Sequence, residues 1–356
     1  MGGEIKNFVE VWLLVFISLC YCYYGGKFIP KGTLRLLSIL PIVSLFLYLP
    51  LKLHSMHLGG ITSFFIAWLA NFKLLLFAFD KGPLSSSSSS SSSISLFRFI
   101  ALACFPIKVH QDLSHKNEKK IDQPTKKGHK SPINYATKGL LLALMLRIYD
   151  YSHYLHPKFI LVLYCFHIYF LLEIMLAIVA ALARTLLSMD LEPQFNEPYL
   201  STSLQDFWGY RWNIMVTRIL RPTVYVPVLN YSTRILGRKW APLPAVFSTF
   251  IVSAIMHELI FYYLGRVRPT WEITGFFLLH GLCLVIEIVL KKAFTGKFQL
   301  PRAVTGPLTF AFVFVTAFWL FLPPLLRCQA DQRAFDEYAA IGAFLKDVGV
   351  RFRRLQ

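Results

Sequence analysis

The chain has few charged residues for its length, and few of these are acidic. Only 16% of its 356 residues are charged and 55% are hydrophobic, whereas about a quarter of a soluble domain is charged. The 19 Asp and Glu are outnumbered by 37 Lys and Arg, which leaves a net charge of +18. This composition argues against an ordinary soluble globular protein and favours a membrane-embedded one. The cationic excess is typical of cytoplasmic loops beside anionic lipid, and it also suits an anionic substrate head group.

Several sequence features of other protein classes are missing. Among the six cysteines, Cys20 and Cys22 have one residue between them, and no second pair or nearby histidine completes a zinc set. We therefore expect neither a disulfide framework nor a structural metal. The cations are dispersed and no nucleic-acid motif is present, so nucleic acid is not an expected partner. No Gly-x-Ser-x-Gly elbow surrounds a serine, and no internal repeat is visible.

Apolar segments near the length that a helix needs to cross a membrane occur along the whole chain. They cover residues 8–24, 34–50, 61–79, 157–187, 244–264, 271–290 and 304–326, with shorter apolar segments at 94–107 and 139–150. From roughly 20 residues per crossing, we predict an all-α, polytopic, multi-pass membrane protein with roughly 8–9 transmembrane helices and a cytosol-facing amphipathic motif region.

The whole chain, residues 1–356, is expected to form a single membrane-embedded domain. It divides into N-terminal spans (8–107), a basic loop (108–138), a catalytic core (139–326) and a C-terminal tail (327–356). The positive-inside rule places the lysine-rich loop in the cytosol, and counting spans then places residues 188–243 there too. For the amphipathic tail, counting spans indicates the lumen whereas its charge indicates the cytosol. A run of nine serines, 85–93, predicts a flexible surface loop.

Residues 192–221 interleave polar, aromatic and cationic side chains between long apolar segments. Trp208 and Trp212 are four residues apart, so they share a face if this stretch is helical. An interfacial amphipathic helix would explain the tryptophans and arginines, but it leaves Gln205, Asp206 and Asn213 unexplained. The side-chain amide of Asn213 offers donors and an acceptor to a substrate carbonyl or hydroxyl.

His257 lies inside the apolar segment 244–264. Ionisable groups in a span are costly and often mark function, and imidazole exchanges a proton near neutral pH. A structural histidine bonded to a neighbouring helix is an equal alternative. A zinc protease helix needs a second histidine four residues later, where this chain has Phe261. Glu258 is adjacent in sequence and is not expected to orient the imidazole.

Two arginines follow the motif, Arg218 and Arg221, three residues apart. They can share a helix face and bind the phosphates of an acyl carrier such as coenzyme A, because Arg grips phosphate bidentately. Positive-inside topology explains each of them equally well. The remaining histidines in apolar or loop segments are assigned to packing or to the membrane interface; these are His153, His156, His167 and His280.

The motif Phe207-Trp208-Gly209, then Arg211-Trp212-Asn213, followed by a span with Ser253 and His257-Glu258, resembles the membrane-bound O-acyltransferases. The stretches 77–84, 193–209 and 221–225 are similar to the plant wax synthases, or long-chain-alcohol O-fatty-acyltransferases. The resemblance covers nearly the whole chain. One position departs from the family pattern: Tyr210 stands where an Arg is usual.

This resemblance implies an endoplasmic-reticulum enzyme of lipid biosynthesis that transfers a fatty acyl group from acyl-CoA to a long-chain alcohol, forming wax esters. His257 matches the catalytic histidine and Asn213 its polar partner. Acyl-CoA is then a co-substrate, and neither a cofactor nor a metal is expected. The expected substrate-binding residues are Gln205, Asp206, Trp208, Arg211, Trp212, Arg218 and Arg221.

Three alternatives stay open at this stage. A sterol acceptor would make the product a steryl ester. A transporter could use His257 and Glu287 along a polar path, although the sparse intramembrane carboxylates and the lack of a repeat disfavour it. A lipid-binding scaffold without activity is the third, and the missing cation at Tyr210 is compatible with it.

Overall fold

The computed structural model describes residues 2–85, 94–105, 132–187, 194–294 and 301–354. Within these ranges the chain forms helices and turns without a strand, in agreement with the all-α prediction. Serines 86–93 and residues 106–131, which carry most of the basic loop, lie outside the described residues. The predicted properties of those two loops therefore stay predictions.

The N-terminal part consists of seven α-helices. These are α1 (Gly2–Phe28), α2 (Thr33–Tyr48), α3 (Met56–Ser63), α4 (Asn71–Ala78), α5 (Leu96–Cys104), α6 (Pro132–Tyr149) and α7 (Pro157–Leu187). A π-helical turn, Phe64–Ala70, joins α3 to α4 into one span. Short 3-10 turns occur at Leu49–Lys52 and Ser152–Tyr154.

The motif segment is a chain of short helices that leads into longer ones. It contains a 3-10 turn (Pro198–Leu200), α8 (Leu204–Asp206), a π-helical turn (Phe207–Arg211), α9 (Ile214–Leu220), a second π-helical turn (Arg221–Tyr225) and α10 (Val226–Trp240). The rest comprises α11 (Pro242–Gly265), α12 (Glu272–Ala293), α13 (Arg302–Thr316), a π-helical turn (Ala317–Phe321), α14 (Leu322–Arg327) and α15 (Ala330–Arg354).

Seven helical segments in the described part of the chain are long and apolar enough to cross a membrane. They are Gly3–Phe28, Thr33–Lys52, Met56–Ala78, Pro157–Thr185, Pro242–Gly265, Glu272–Ala293 and Arg302–Arg327. The protein is therefore a multi-pass membrane protein. The two short apolar segments of the sequence form α5 and α6; α5, with nine residues, spans roughly 14 Å, less than half of the hydrocarbon layer.

The long helices define two ends of the bundle. At one end, which we call the motif side, Lys292 donates to the carbonyl of Lys239 and Lys291 contacts Gln205. At the opposite side, Arg266 donates to the carbonyl of Leu53, close to where α3 and α15 begin. Each end thus gathers residues that are far apart in sequence.

Buried Lys73 terminates α5 inside the bundle. Its ammonium donates to the carbonyls of Leu102 and Phe105 at 2.5 and 2.7 Å. The last carbonyls of a helix lack partners within the helix, and a cation at this end also interacts favourably with the helix dipole. A short helix can therefore end between the spans without leaving these carbonyls unpaired.

Helices α11 and α12 pack closely along their length. A Cβ at Gly281 of α12 would lie 2.8 Å from Cβ of Phe250 on α11, so only glycine permits this approach. Nearer the opposite side, Glu258 of α11 accepts hydrogen bonds from the backbone N–H and the hydroxyl of Thr274, both at 3.0 Å. This pairing holds α11, and with it His257, at a set depth in the bundle.

Candidate functional site

His257 projects from the middle of α11 into the space between helices. Its Nδ1 lies 2.7 Å from the backbone carbonyl of Ser253, one helical turn earlier. A carbonyl can only accept, so Nδ1 carries the proton and Nε2 presents a lone pair. The ring packs against Phe277 (centroids 4.2 Å apart) and edge-on against Trp68 (5.2 Å). The imidazole is thus oriented with its basic nitrogen turned away from its own helix.

Asn213 occupies the bend between the π-helical turn Phe207–Arg211 and α9. Its backbone is left-handed, with φ 43° and ψ 58°, a conformation that Asn adopts more readily than most residues. Its carbonyl accepts from the N–H of Val216 at 3.0 Å, which begins α9. The side-chain amide is half-buried and borders the cavities described next, so it is available to a ligand.

Two cavities meet at His257 and Asn213. The first, the apolar cavity, has a volume of about 330 Å³ and extends from these two residues toward the opposite side between α3, α7, α11, α14 and α15. The second, the motif-side cavity, has a volume of about 300 Å³ and is lined by the motif segment, α11 and α12. His257 and Asn213 line both. A reaction at this junction could therefore join two molecules that enter from different sides.

The two predicted tryptophans diverge because the helix ends before the second. Trp212 is extended (φ −100°, ψ 125°) and stacks on Phe207 with ring centroids 5.4 Å apart. Trp208 instead donates its indole N–H to Nδ1 of His280 at 3.1 Å. The condition for one shared helical face, a helix that includes both residues, is therefore not met, although both residues line the motif-side cavity.

Asp206 and Arg211 bind each other and border neither cavity. Nε of Arg211 donates to Oδ2 of Asp206 at 2.8 Å, and Nη1 donates to the carbonyls of Asn196 and Glu197. Asp206 also accepts from the N–H of Thr202. These contacts tie the loop before α8 to the end of the following π-helical turn. The pair shapes the motif segment, and the substrate contact expected of both residues from the sequence stays a prediction.

Of the two later arginines, the structure brings Arg221 to the motif-side cavity and leaves Arg218 outside its lining. Gln205 also lines this cavity and lies 3.4 Å from the ammonium of Lys291. Tyr210 is 62% exposed at the same cavity. The motif-side cavity therefore has polar and cationic groups at its border.

The carboxylates near His257 have structural partners. Glu258 is bonded to Thr274, as described above, and does not orient the imidazole, in agreement with the sequence-based expectation. Glu287 accepts from the backbone N–H of Leu204 at 2.9 Å and pairs with Lys291 at 2.7 Å. It lines neither cavity, so the described residues show no polar path from His257 to Glu287. Within the same ranges, no group of three or more His, Cys, Asp or Glu could hold a metal.

Sequence reasoning missed the aromatic residues that enclose the imidazole. Trp68 and Phe321 come from two π-helical turns and, like His257, line the apolar cavity. It also missed that α15 closes this cavity, with Ala330, Ala334 and Phe335 in its lining. No local signal marks these residues, because each lies in an apolar or amphipathic segment that looks like its neighbours.

Comparisons with known proteins agree with this picture. Residues 191–279 match a family model described as the membrane bound O-acyl transferase family. The chain is 50% identical over 344 residues to acyl-CoA–sterol O-acyltransferase 1 of Arabidopsis thaliana, covering 97% of both chains. It is 48% identical over 336 residues to a long-chain-alcohol O-fatty-acyltransferase of Simmondsia chinensis, covering 94% of both. A probable long-chain-alcohol O-fatty-acyltransferase 1 of Arabidopsis thaliana is 46% identical over 341 residues, with 95% of this chain and 96% of the relative covered.

Proposed function

Because this chain belongs to the membrane-bound O-acyltransferase family and is an O-acyltransferase, we propose that it moves a fatty acyl group from acyl-CoA to the hydroxyl of a long-chain fatty alcohol, forming a wax ester. The observation that carries the proposal is the meeting of two cavities at His257 and Asn213. One cavity is apolar and suits hydrocarbon. The other has polar and cationic groups and suits the head of coenzyme A.

In the proposed reaction His257 is the general base. Its Nε2 takes the proton of the acceptor hydroxyl, and the oxygen attacks the carbonyl carbon of the thioester. The C–S bond then breaks, and the departing thiolate of coenzyme A takes the proton from the imidazolium. General base catalysis of this kind is typically worth about 10² to 10⁴-fold. No covalent acyl-enzyme is required, and the thioester needs no resident cofactor because it is already activated.

Asn213 is proposed to donate its side-chain N–H to the oxygen on which negative charge develops. This amide lines both cavities together with His257 and carries no charge of its own. Removal of one such donor typically lowers kcat by about 10² to 10³-fold. Both roles require a dry site, which the surrounding Trp68, Phe277 and Phe321 provide.

The motif-side cavity is proposed to hold coenzyme A. Arg221 pairs with a phosphate there, Gln205 offers an amide, and Trp208 and Trp212 form apolar walls. Tyr210 lines the same cavity with an uncharged side chain. The hydrocarbon of the substrates occupies the apolar cavity, where each buried CH₂ contributes about 0.8 kcal/mol.

A sterol is the second candidate acceptor, because a relative of 50% identity is named an acyl-CoA–sterol O-acyltransferase. We also propose residence in the endoplasmic reticulum, which fits a multi-pass enzyme that uses acyl-CoA and membrane lipids. Co-fractionation of a tagged protein with markers of that membrane tests the location.

The reaction is tested in microsomes from a host without this activity, with labelled palmitoyl-CoA and with fatty alcohol and sterol offered side by side. We expect labelled wax ester from the wild type and a loss of about 10² to 10⁴-fold in His257→Ala. His153→Ala, an exposed histidine, is the matched control and should keep full activity. A steryl ester alone would identify the second acceptor. No ester from well-expressed wild type would contradict the proposal, and a trapped acyl-serine or acyl-cysteine would contradict the single-step mechanism.

A further inference from the structure

The first turns of α15 form the end of the apolar cavity that is farthest from Asn213. Ala330, Asp331, Ala334 and Phe335 all line it, and this spacing places them on one face of the helix. Facing them are Met56 and His57 of α3 and Tyr164 and His167 of α7. Residues 330–354 lie outside the segment 191–279 that matches the family model.

The cavity runs lengthwise along α11 from the imidazole toward α15. Its lining on α11 is His257, Ile260, Phe261 and Leu264, which is one face of that helix. From His257 to Leu264 the helix rises roughly 10 Å at 1.5 Å per residue. At that level Arg333 of α15 donates to the carbonyl of Leu264 at 2.5 Å. A long hydrocarbon chain with its reactive carbon at His257 therefore reaches α15 when it extends into this cavity.

A set of hydrogen bonds holds α15 in this position. Glu337 accepts from the hydroxyl of Ser55 at 2.9 Å, from the N–H of Met56 at 2.5 Å and from Nδ1 of His57 at 2.6 Å. The hydroxyl of Tyr338 lies 3.0 Å from Nε2 of His57. Because Glu337 receives several donors at once, α15 is anchored to the beginning of the span that it faces.

Several polar groups at this end of the cavity are paired with one another. Tyr338 also lies 3.0 Å from Nε2 of His167, and the hydroxyl of Tyr164 donates to Asp331 at 2.9 Å. The ring of Phe335 packs against Tyr149 with centroids 5.1 Å apart. Nδ1 of His167 is buried without a partner among the described residues, but the lining from α15 itself offers a chain end the carbon atoms of two alanines and Phe335.

We propose that α15 is the end wall of the hydrocarbon cavity, and that Phe335 and Ala334 determine which chain length this enzyme accepts. The inference rests on the proposed acyl transfer at His257. The hydrocarbon chain that contacts this wall belongs either to the acyl donor or to the alcohol acceptor. Both would present the same apolar methylene and methyl groups to it.

The test uses two variants that move the wall in opposite directions. Phe335→Ala removes a ring and deepens the cavity, so the preferred chain becomes longer. Ala334→Phe adds a ring and makes the cavity shallower, so the preferred chain becomes shorter. Each methylene that gains or loses apolar contact should change the relative kcat/KM by about fourfold. Phe335→Leu, which keeps most of the apolar volume, should shift the profile in the same direction as Phe335→Ala, by less.

Two substrate series assign the chain. In one, acyl-CoAs of increasing length react with one alcohol; in the other, alcohols of increasing length react with one acyl-CoA. The series whose optimum moves in opposite directions in the two variants identifies the chain that reaches α15. Phe344→Ala is the matched control, because Phe344 lies on the same helix, is 63% exposed and does not line the cavity; its profile should equal that of the wild type.

The outcomes separate this inference from the proposed function. If wild type esterifies alcohols and neither series shifts in Phe335→Leu or Ala334→Phe, the wall assignment is wrong while acyl transfer stands. If wild type forms no ester, the proposed function itself fails. Thermal unfolding in detergent shows whether Phe335→Ala is folded, and Phe335→Leu and Ala334→Phe decide the matter if it is not.

Discussion

The protonation state of His280 follows from its neighbours. Its side chain has no exposed surface. Trp208 can only donate, so Nδ1 of His280 is an acceptor. Nε2 then carries the proton, and it lies 2.8 Å from the hydroxyl of Thr316, which donates in turn to the carbonyl of Phe312 at 2.8 Å. Unlike His257, this histidine has both ring nitrogens occupied, and we assign it to positioning Trp208.

We predict that His280 and Trp208 are energetically coupled. His280→Ala leaves the buried indole N–H without an acceptor, which typically costs about 1 to 3 kcal/mol. Trp208→Phe removes the indole N–H, so in that background His280→Ala no longer leaves a donor unpaired. The coupling energy between the two substitutions should therefore be about 0.5 to 3 kcal/mol. Thermal unfolding of the four proteins in detergent measures the stability coupling.

The same four proteins, together with His280→Asn, distinguish positioning from simple packing. Because Trp208 lines the motif-side cavity, His280→Ala should raise the KM for acyl-CoA more than it lowers kcat. His280→Asn, which keeps an acceptor near the position of Nδ1, should restore part of the affinity. Strictly additive losses in stability and in KM would show that the two side chains act independently.

At the scale of elements, π-helical turns surround the site. All four such turns in the described residues contribute to a cavity: Phe64–Ala70 and Ala317–Phe321 to the apolar one, Phe207–Arg211 and Arg221–Tyr225 to the motif-side one. A π-helical turn inserts a residue relative to the α-helix and re-aims the side chains after it, and such turns are frequent at functional sites. Here they turn Trp68 and Phe321 toward His257.

The anchor of α15 gives this helix a distinct pH dependence. Burial raises the pKa of Glu337, but hydrogen bonds from the His57 ring, from the N–H groups of Met56 and His57 and from the hydroxyl of Ser55 outweigh it and lower the pKa from 4.5 to about 2. A carboxyl group whose pKa is lower in the folded than in the unfolded protein stabilises the fold at any pH above its unfolded-state pKa. This stabilisation is lost as the pH falls through the folded-state pKa. The contribution of Glu337 is therefore complete above about pH 4.5 and declines toward pH 2.

We predict that the difference in Tm between wild type and Glu337→Gln is largest and constant from pH 7 to about 5, and shrinks as the pH falls further. Asp336→Asn, at a neighbouring exposed position, is the control and should show little difference in Tm at any pH. A constant difference between wild type and Glu337→Gln down to pH 3 would exclude an ionised anchor.

At the scale of the whole molecule, the motif segment and the start of α15 lie at opposite ends of the bundle. Lys291 contacts Gln205 at one end, whereas Arg333 contacts the carbonyls of Leu264 and His54 at the other. We predict that the motif segment lies in the cytosol, which would place the start of α15 on the lumenal side. The two cavities then approach His257 from opposite sides of the membrane.

We predict opposite accessibility for two cysteine variants in sealed microsomes. An impermeant maleimide should label Tyr210→Cys directly, because that position is exposed on the motif side. Arg268→Cys, exposed in the loop between α11 and α12, should be labelled only after detergent is added. Wild type gives the background from the six native cysteines. Labelling of both variants before permeabilisation would contradict this topology.

Much of the fold was predictable from the sequence because hydrophobic length is a local property. The predicted span 157–187 coincides with α7, and the predicted span 244–264 differs from α11 by two residues at its start and one at its end. For the site, His257 and Asn213 were identified from their setting and from family resemblance, and the structure brings them to one junction. Their catalytic roles stay predictions.

Apolar run length and local motifs were enough to identify an all-α membrane protein of the O-acyltransferase family, with His257 in a span as the candidate base, because this information is local in the chain. The three-dimensional arrangement was needed to show that Arg211 pairs with Asp206, that Trp208 and Trp212 separate, and that α15 closes the apolar cavity. Those features depend on where a helix changes register and on contacts between residues as distant as Met56 and Glu337. Neither is encoded in the local pattern of polar and apolar residues.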